Sequence, residues 1–330
     1  MRTETLIRTL RRVSHAAAVT AAVAAAVICC GCKDETRLRV LYWNIQNGMW
    51  AEQGDNYDNF VEWVKRYDPD VCVWCEAQTI YENGTDKACS KEKRYLTDNW
   101  GELAARYGHG YWTKSGHRDN YPQVVTSKYP IEKVLDIVGE EPDSVVTHGA
   151  CHVRIECGGR KVNIVTLHMW PQAYAYRAED RGASKAENGG DRYRLMEMEY
   201  ICNHTILSDP DPEERGSWMM MGDFNSRSPK DNWFYGYPEN DPRLMVQDYI
   251  LRNTPYVDII GERYAGEFHT TTYGKARIDY VYCTPDLYGA VSDAYVVEDD
   301  YTRDPVRDES TNFHRPSDHL PILVDFAVKK

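Results

Sequence analysis

Residues 219–226 read Met-Met-Met-Gly-Asp-Phe-Asn-Ser. A short apolar run stops at a glycine, and two polar residues follow one position apart. On an extended backbone, residues i and i+2 point to the same side, so Asp223 and Asn225 can face one pocket. A buried strand that ends in such a pair suits a hard cation or a phosphate. The plainer reading is a turn, because Asp and Asn both bond their own backbone. Partners elsewhere in the chain decide between the two.

Several other segments end the same way. Residues 38–44 read as a buried strand delivering Asn44. Residues 56–67 carry apolar groups at Tyr57, Phe60, Val61 and Val64, the spacing of an amphipathic helix, and Pro69 stops it. Residues 70–74 form the next strand, with Glu76 at its end. A second helix spans 93–107, with Leu96, Trp100, Leu103 and Tyr107 on one face. Strands at 109–113, 123–127 and 131–138 follow. Gly158-Gly159 is a strong hairpin signal between strands 149–157 and 161–167, and the second arm ends at His168.

Residues 169–190 break the pattern and read as a long loop or insertion. Its Trp170, Tyr174, Tyr176, Arg177 and Arg181 either contact a substrate or decorate a solvated loop. A helix at 191–207, the strand at 218–222 and a short helix at 243–252 come next. A strand at 277–282 carries Asp279 in its middle, and another spans 290–297. A charged loop covers 299–316, and Ser317-Asp318-His319 leads into the last strand, 320–328. There is no internal repeat and no linker. The expectation is one domain over 36–330 behind a leader, 1–32.

The leader has basic residues Arg8, Arg11 and Arg12, then an apolar run at 16–28 too short to span a bilayer. Gly31-Cys32 resembles a bacterial lipobox, in which Cys32 would be lipidated; Cys30 is a rival and a plain signal peptide the alternative. The chain is therefore expected outside the cytoplasm, touching the membrane only through a lipid anchor, as a monomer. The net charge of −12 argues against a general grip on nucleic acid, although a metal site itself uses carboxylates. Seven cysteines follow the leader, an odd number, with room for one or two disulfides. The spacing Cys72-x-x-Cys75 lies in a strand-like run and reads as packing rather than zinc or redox chemistry.

Asn44, Glu76, His168, Asp223, Asn225, Asp318 and His319 thus cluster at strand ends, joined by Asp279. Each has a bland reading as a turn, cap or ion-pair residue. Together they supply what phosphoester hydrolysis needs: oxygen ligands for a cation, a histidine base with an orienting carboxylate, and donors for a phosphoryl oxygen.

The segments Tyr42-Trp43-Asn44, Cys75-Glu76, Thr166-Leu167-His168, Gly222-Asp223-Phe224-Asn225, Arg277-Ile278-Asp279-Tyr280 and Ser317-Asp318-His319-Leu320-Pro321 occur in this order. In that order the chain resembles the endonuclease/exonuclease/phosphatase superfamily. The resemblance implies a four-layered αββα sandwich of two mixed β-sheets flanked by helices. It implies Glu76 as the main metal carboxylate with Asn44 and Asp318, for Mg²⁺ with Mn²⁺ as substitute. It implies His319, oriented by Asp279, as general base. Asp223 would orient the nucleophile or protonate the leaving group, and His168 and Asn225 would donate to the phosphoryl group. Residues 115–127 match the family only loosely, offering Arg118 and Tyr121 as substrate contacts beside Trp170 and Arg177. The loop after His168 is longer than the family's usual continuation. The expected function is metal-dependent hydrolysis of a phosphate ester. The alternatives are an exported nuclease and a surface binding protein without activity.

Overall fold

The computed structural model describes residues 35–82, 85, 87–90, 96, 98–115, 119, 121–208, 216–303, 306–307 and 314–329. The leader with Cys32, and Arg118, lie outside the described residues. No helix among the described residues is long and apolar enough to cross a membrane.

In chain order the main elements are β1 (Glu35–Asn44), α1 (Asp58–Tyr67), β2 (Val71–Cys75), α2 (Trp100–Arg106), β3 (Tyr111–Lys114), β4 (Val124–Ser127) and β5 (Glu132–Ile137). They continue with β6 (Ala150–Cys157), β7 (Arg160–His168), α3 (Arg181–Ala186), α4 (Gly189–His204), β8 (Ser217–Asp223) and α5 (Met245–Asn253). The last are β9 (Val257–Asp258), α6 (Ile259–Arg263), β10 (Asp279–Cys283), β11 (Val291–Val296), β12 (Val306–Arg307), β13 (His314–Arg315) and β14 (Ile322–Lys329). One six-stranded sheet runs β11-β14-β1-β2-β4-β3, and the other β5-β6-β7-β8-β10-β9. Both are mixed: β1 pairs in parallel with β2 and antiparallel with β14, and β7 pairs in parallel with β8.

The apolar strands explain the layering. Alternate residues of a strand face opposite sides, and here both sides are buried, so the runs are continuously apolar. Val40 and Tyr42 of β1, Val73 and Cys75 of β2, and Met219 and Met221 of β8 meet between the sheets. Leu41 and Trp43 face outward onto Phe60, Trp63 and Val64 of α1 and onto Trp100 of α2. Met220 and Leu167 face outward onto Met198, Ile201 and Cys202 of α4 and Val246 and Ile250 of α5. The result is the expected αββα sandwich. Cys72 and Cys75, three apart on one strand, fall into different layers, so they cannot share an ion. All seven described cysteines are free thiols.

Long-range pairing corrects three expectations. Asp279 opens β10 rather than sitting in its middle, because its pairing begins opposite Asp223 and its N–H bonds the Thr271 hydroxyl at 3.1 Å. Residues 169–190 are not a bare loop. Asp180 caps α3 by accepting from the Ala183 N–H at 2.9 Å, and the Gly190 N–H returns to the Ala173 carbonyl at 3.0 Å. The charged segment 299–316 holds the small β12–β13 ribbon. The hairpin expectation stands: Gly158 and Gly159 adopt φ of 60° and 80°, the left-handed values its two-residue turn requires.

Just before β10, the buried Arg277 guanidinium donates to both oxygens of Asp258 (2.8 and 2.7 Å) and to Asp231 (2.6 Å). Removing the cation would leave two buried carboxylates unpaired. Arg277→Met is therefore expected to destabilise the fold by about 3–5 kcal/mol. Urea unfolding measures this, and a loss below ~1 kcal/mol would show that the network carries little stability.

Candidate active site

Strand register assembles the centre of the site. His168 on β7 lies directly opposite Asp223 on β8, and Asp223 lies opposite Asp279 on β10. The other sheet brings Asn44 to the end of β1, opposite Cys75, with Glu76 next along. The chain then reverses sharply after both strands. Glu76 has φ of 55°, and Gly48, at φ 67°, packs so closely that a Cβ would lie 2.6 Å from the Thr79 nitrogen. Only glycine fits there, and its N–H bonds the Glu76 carbonyl at 2.8 Å.

His319 and Asp279 form a buried dyad. The carboxylate accepts from His319 Nδ1 at 2.8 Å through one oxygen and from the Tyr42 hydroxyl at 2.7 Å through the other. A carboxylate only accepts, so Nδ1 carries the proton and Nε2 is the nitrogen free for chemistry. Burial alone would lower the His319 pKa; Asp279, Asp318 and Asp223 overcome it and hold the pKa well above the usual histidine range.

Asp223 sits at the middle. One oxygen lies 3.1 Å from Asn44 Nδ2, 3.7 Å from His168 Nε2 and 3.8 Å from His319 Nε2. The other accepts from the Asn225 N–H at 2.9 Å. Burial, then the charge of Asp279, push its pKa up to about 8. His168 is also buried, and its Nδ1 has no hydrogen-bond partner among the described residues. Burial, with the charges of His148 and His319, lowers its pKa well below the ordinary value, so it is a neutral ring. Asn225 adopts φ of 48° and spends one amide N–H on the Met169 carbonyl at 3.0 Å; a second N–H remains on the same nitrogen.

A cleft of about 900 Å³ opens over this cluster. Glu76, His168, Asp223, Asn225, Asp318 and His319 all line it. Glu76 is half-buried, its Oε2 accepts the Asn47 N–H at 2.9 Å, and burial and the Asp318 charge raise its pKa. Two carboxylate side chains, Glu76 and Asp318, at one open cleft are a donor set for a hard divalent cation. Asp223, Asp279 and His319 also have ligand atoms within 4.8 Å of one another. Both Asp279 oxygens are already engaged there, which suits proton handling better than ligation. Asn44 meets the carboxylates through its nitrogen, 3.4 Å from Glu76 Oε1, while its oxygen accepts the Gln46 N–H at 3.1 Å. In this structure it orients two acids rather than offering an oxygen to the cleft.

Of the proposed substrate contacts, Tyr121 and Trp170 line the cleft. Arg177 does not; its guanidinium lies over the Tyr176 ring at 5.2 Å. Sequence reading missed His148, which also lines the cleft and bonds Asp119 through Nδ1. It missed Glu197 of α4 as well. That buried acid accepts from the Thr147 N–H (2.9 Å) and hydroxyl (2.6 Å) and from the Trp170 N–H (2.9 Å). Tyr42 had a readable signal: it stands two residues before Asn44, on the same strand face. His148, isolated between Thr147 and Gly149, had none.

Two face-to-face sheets with this polar cluster at their shared end define a hydrolase scaffold. The model of the Endonuclease/Exonuclease/phosphatase family matches residues 41–319, and the chain belongs to that family, whose members are hydrolases acting on phosphoester bonds. Among solved structures, an AP endonuclease from Archaeoglobus fulgidus is 18% identical with a TM-score of 0.58, over 88% of this chain and 100% of that one. An endonuclease/exonuclease/phosphatase from Beutenbergia cavernae is 17% identical with a TM-score of 0.55, over 89% and 72%. TDP2 of D. rerio, humanized by 14 mutations, is 12% identical with a TM-score of 0.51, over 88% and 99%. No curated protein matches the chain by sequence.

The raised pKa of Asp223 has a consequence for stability. Between the unfolded value near 3.8 and the folded value of about 8, the folded chain binds more protons than the unfolded one. Stability from this group is full below the unfolded pKa and is lost as pH rises through the folded one. In chelator, the urea midpoint is expected to fall from pH 5 to pH 8, and Asp223→Asn to flatten that fall. An unchanged pH slope in the variant would contradict the assignment.

Proposed function

We propose that this protein is an exported, divalent-cation-dependent phosphoesterase that hydrolyses a phosphodiester or phosphomonoester by attack of water. The observation that carries this reading is the convergence of two chemically distinct halves on one cleft. The Asp279–His319 dyad and Asp223 supply proton handling, and Glu76 and Asp318 supply oxygen ligands. The donor set fits Mg²⁺, with Mn²⁺ as substitute. When bound, such an ion polarises a phosphoryl oxygen and offsets the acidic charge that otherwise holds a proton on His319.

The chain's own groups do the rest. Asp279 holds the His319 ring so that Nε2 takes a proton from the attacking water. The water oxygen bonds phosphorus as the ester P–O bond breaks. Asp223, held by Asn44 and the Asn225 N–H, positions the water between itself and His319. His168 and the remaining Asn225 N–H face the phosphoryl oxygens. A nuclease is the second reading, favoured by the fold's likeness to the archaeal AP endonuclease; the net charge of −12 weighs against an extended polyanion. A surface protein without activity would need a degraded site, and every expected position is present here.

Purified protein is expected to hydrolyse an aryl phosphodiester with Mg²⁺ or Mn²⁺ and to stop in excess chelator. His319→Ala should lower kcat by about 10²–10⁴-fold, and Glu76→Ala should weaken activation by metal. Full turnover in chelator, or wild-type turnover in either variant, sinks the reading. Export through Cys32 is tested separately: labelled fatty acid should enter the full-length protein in bacterial cells and not its Cys32→Ala variant. Equal labelling of both removes the anchor.

A further inference from the structure

We propose that His148, held by Asp119, is a further catalytic residue that donates a proton from Nε2 to the leaving oxygen of the substrate. The inference rests on the phosphoesterase reading above and assigns the far side of the same cleft.

Four observations carry it. His148 is buried yet lines the cleft. Its Nδ1 is bonded to the Asp119 carboxylate, which fixes the ring's orientation, as Asp279 does for His319. Its Nε2 is buried and has no hydrogen-bond partner among the described residues. A polar nitrogen buried without a partner is costly, so its retention calls for an occupant that the protein itself does not supply. Finally, the ring is clamped. It stacks on His168 at 4.5 Å, Trp170 lies 6.1 Å away on a plane tilted by 30°, and Tyr121 meets it edge-on at 5.1 Å. Glu197 tethers the residue before it, Thr147, and the Trp170 backbone to one carboxylate.

Sheet order gives the role. The strands run β6-β7-β8-β10. His148 precedes β6, His168 ends β7, Asp223 ends β8 and Asp279, with His319, opens β10. The base therefore stands at one end of the row and His148 at the other. Attacking and leaving oxygens lie roughly in line through phosphorus. Water activated beside His319 places the leaving oxygen toward the His148 end.

The step balances. The water oxygen bonds phosphorus and its proton passes to His319 Nε2. The ester P–O bond breaks with its electron pair on the leaving oxygen, which takes the proton from His148 Nε2. Exchange with solvent restores both rings.

The test uses phenyl methyl phosphodiesters, with Mg²⁺, whose leaving phenols span a range of acidity. Nitrophenolate leaves without a proton, whereas a weakly acidic phenol needs one. Wild type should depend only shallowly on phenol acidity. His148→Gln should steepen that dependence, losing about 10²-fold on the least acidic phenol and ~3-fold or less on nitrophenol. Asp119→Asn, which acts through His148, should steepen it less. A uniform loss across the series in a variant that melts like wild type overturns the proposal, as does no loss. If His148→Gln fails to fold, the slope of Asp119→Asn decides. No wild-type turnover on any ester removes the phosphoesterase reading itself, and this proposal with it, an outcome the wild-type arm alone reveals.

Discussion

The hydrogen bond from Asn44 to Asp223 joins two β-sheets whose facing surfaces are otherwise mostly apolar. Three more bonds tie the same end of the molecule. Tyr42 of one sheet donates to Asp279 of the other, Trp43 Nε1 donates to the His319 carbonyl at 2.8 Å, and Ser317 Oγ donates to the Asn44 carbonyl at 2.7 Å. A polar group buried without a partner costs free energy. Each member of this knot therefore depends on the others for its place. The sheets cannot slide by one residue without moving a row of acids into the apolar layer. The active geometry is thus a property of how the sheets pack, not of any one loop.

That packing concentrates like charge. Asp223 and Asp279 lie side by side and buried, and Glu76 and Asp318 face the cleft together. The fold resolves the inner pair by retaining a proton among Asp223 and His319, with both groups pushed above their ordinary ranges. The outer pair, Glu76 and Asp318, is the one that the proposed cation would neutralise. His168, close to both and to a second histidine, settles as the neutral ring. The two histidines, which would behave alike in water, are thereby driven to opposite states by their positions. Such divergence is how one fold runs acid and base steps together.

Much of this was legible in the chain. Continuous apolar runs ending in Asn44, Glu76, His168 and Asp223 announce strands buried on both faces, each delivering a polar group at one end. Gly158-Gly159 announces its hairpin. What stayed hidden depends on contacts distant in sequence. Asp279 sits at a strand start only because Asp223 lies opposite it. Glu197 looks like any acid on a helix until the fold presses it against Thr147 and Trp170. Residues 169–190 lack helical periodicity because their order comes from packing on α4. His148 has no local pattern at all; what marks it is an orphaned nitrogen, which only coordinates reveal.

The two walls of the cleft are consequently built by different means. One wall stands on strand register, where a change of one residue reverses every side chain. The other stands on loop backbone at Thr147 and Trp170, drawn together by the Glu197 carboxylate of the helix layer. Register tolerates almost no variation, whereas a loop can change length and composition while its anchor holds. Under the proposed phosphoesterase reading, chemistry common to many esters would sit on the first wall and discrimination among leaving groups on the second. The place to look for what distinguishes this protein is therefore the segment from Trp170 to α4 and the turn bearing Asp119 and Tyr121, where aromatic rings meet the cleft without being fixed by either sheet.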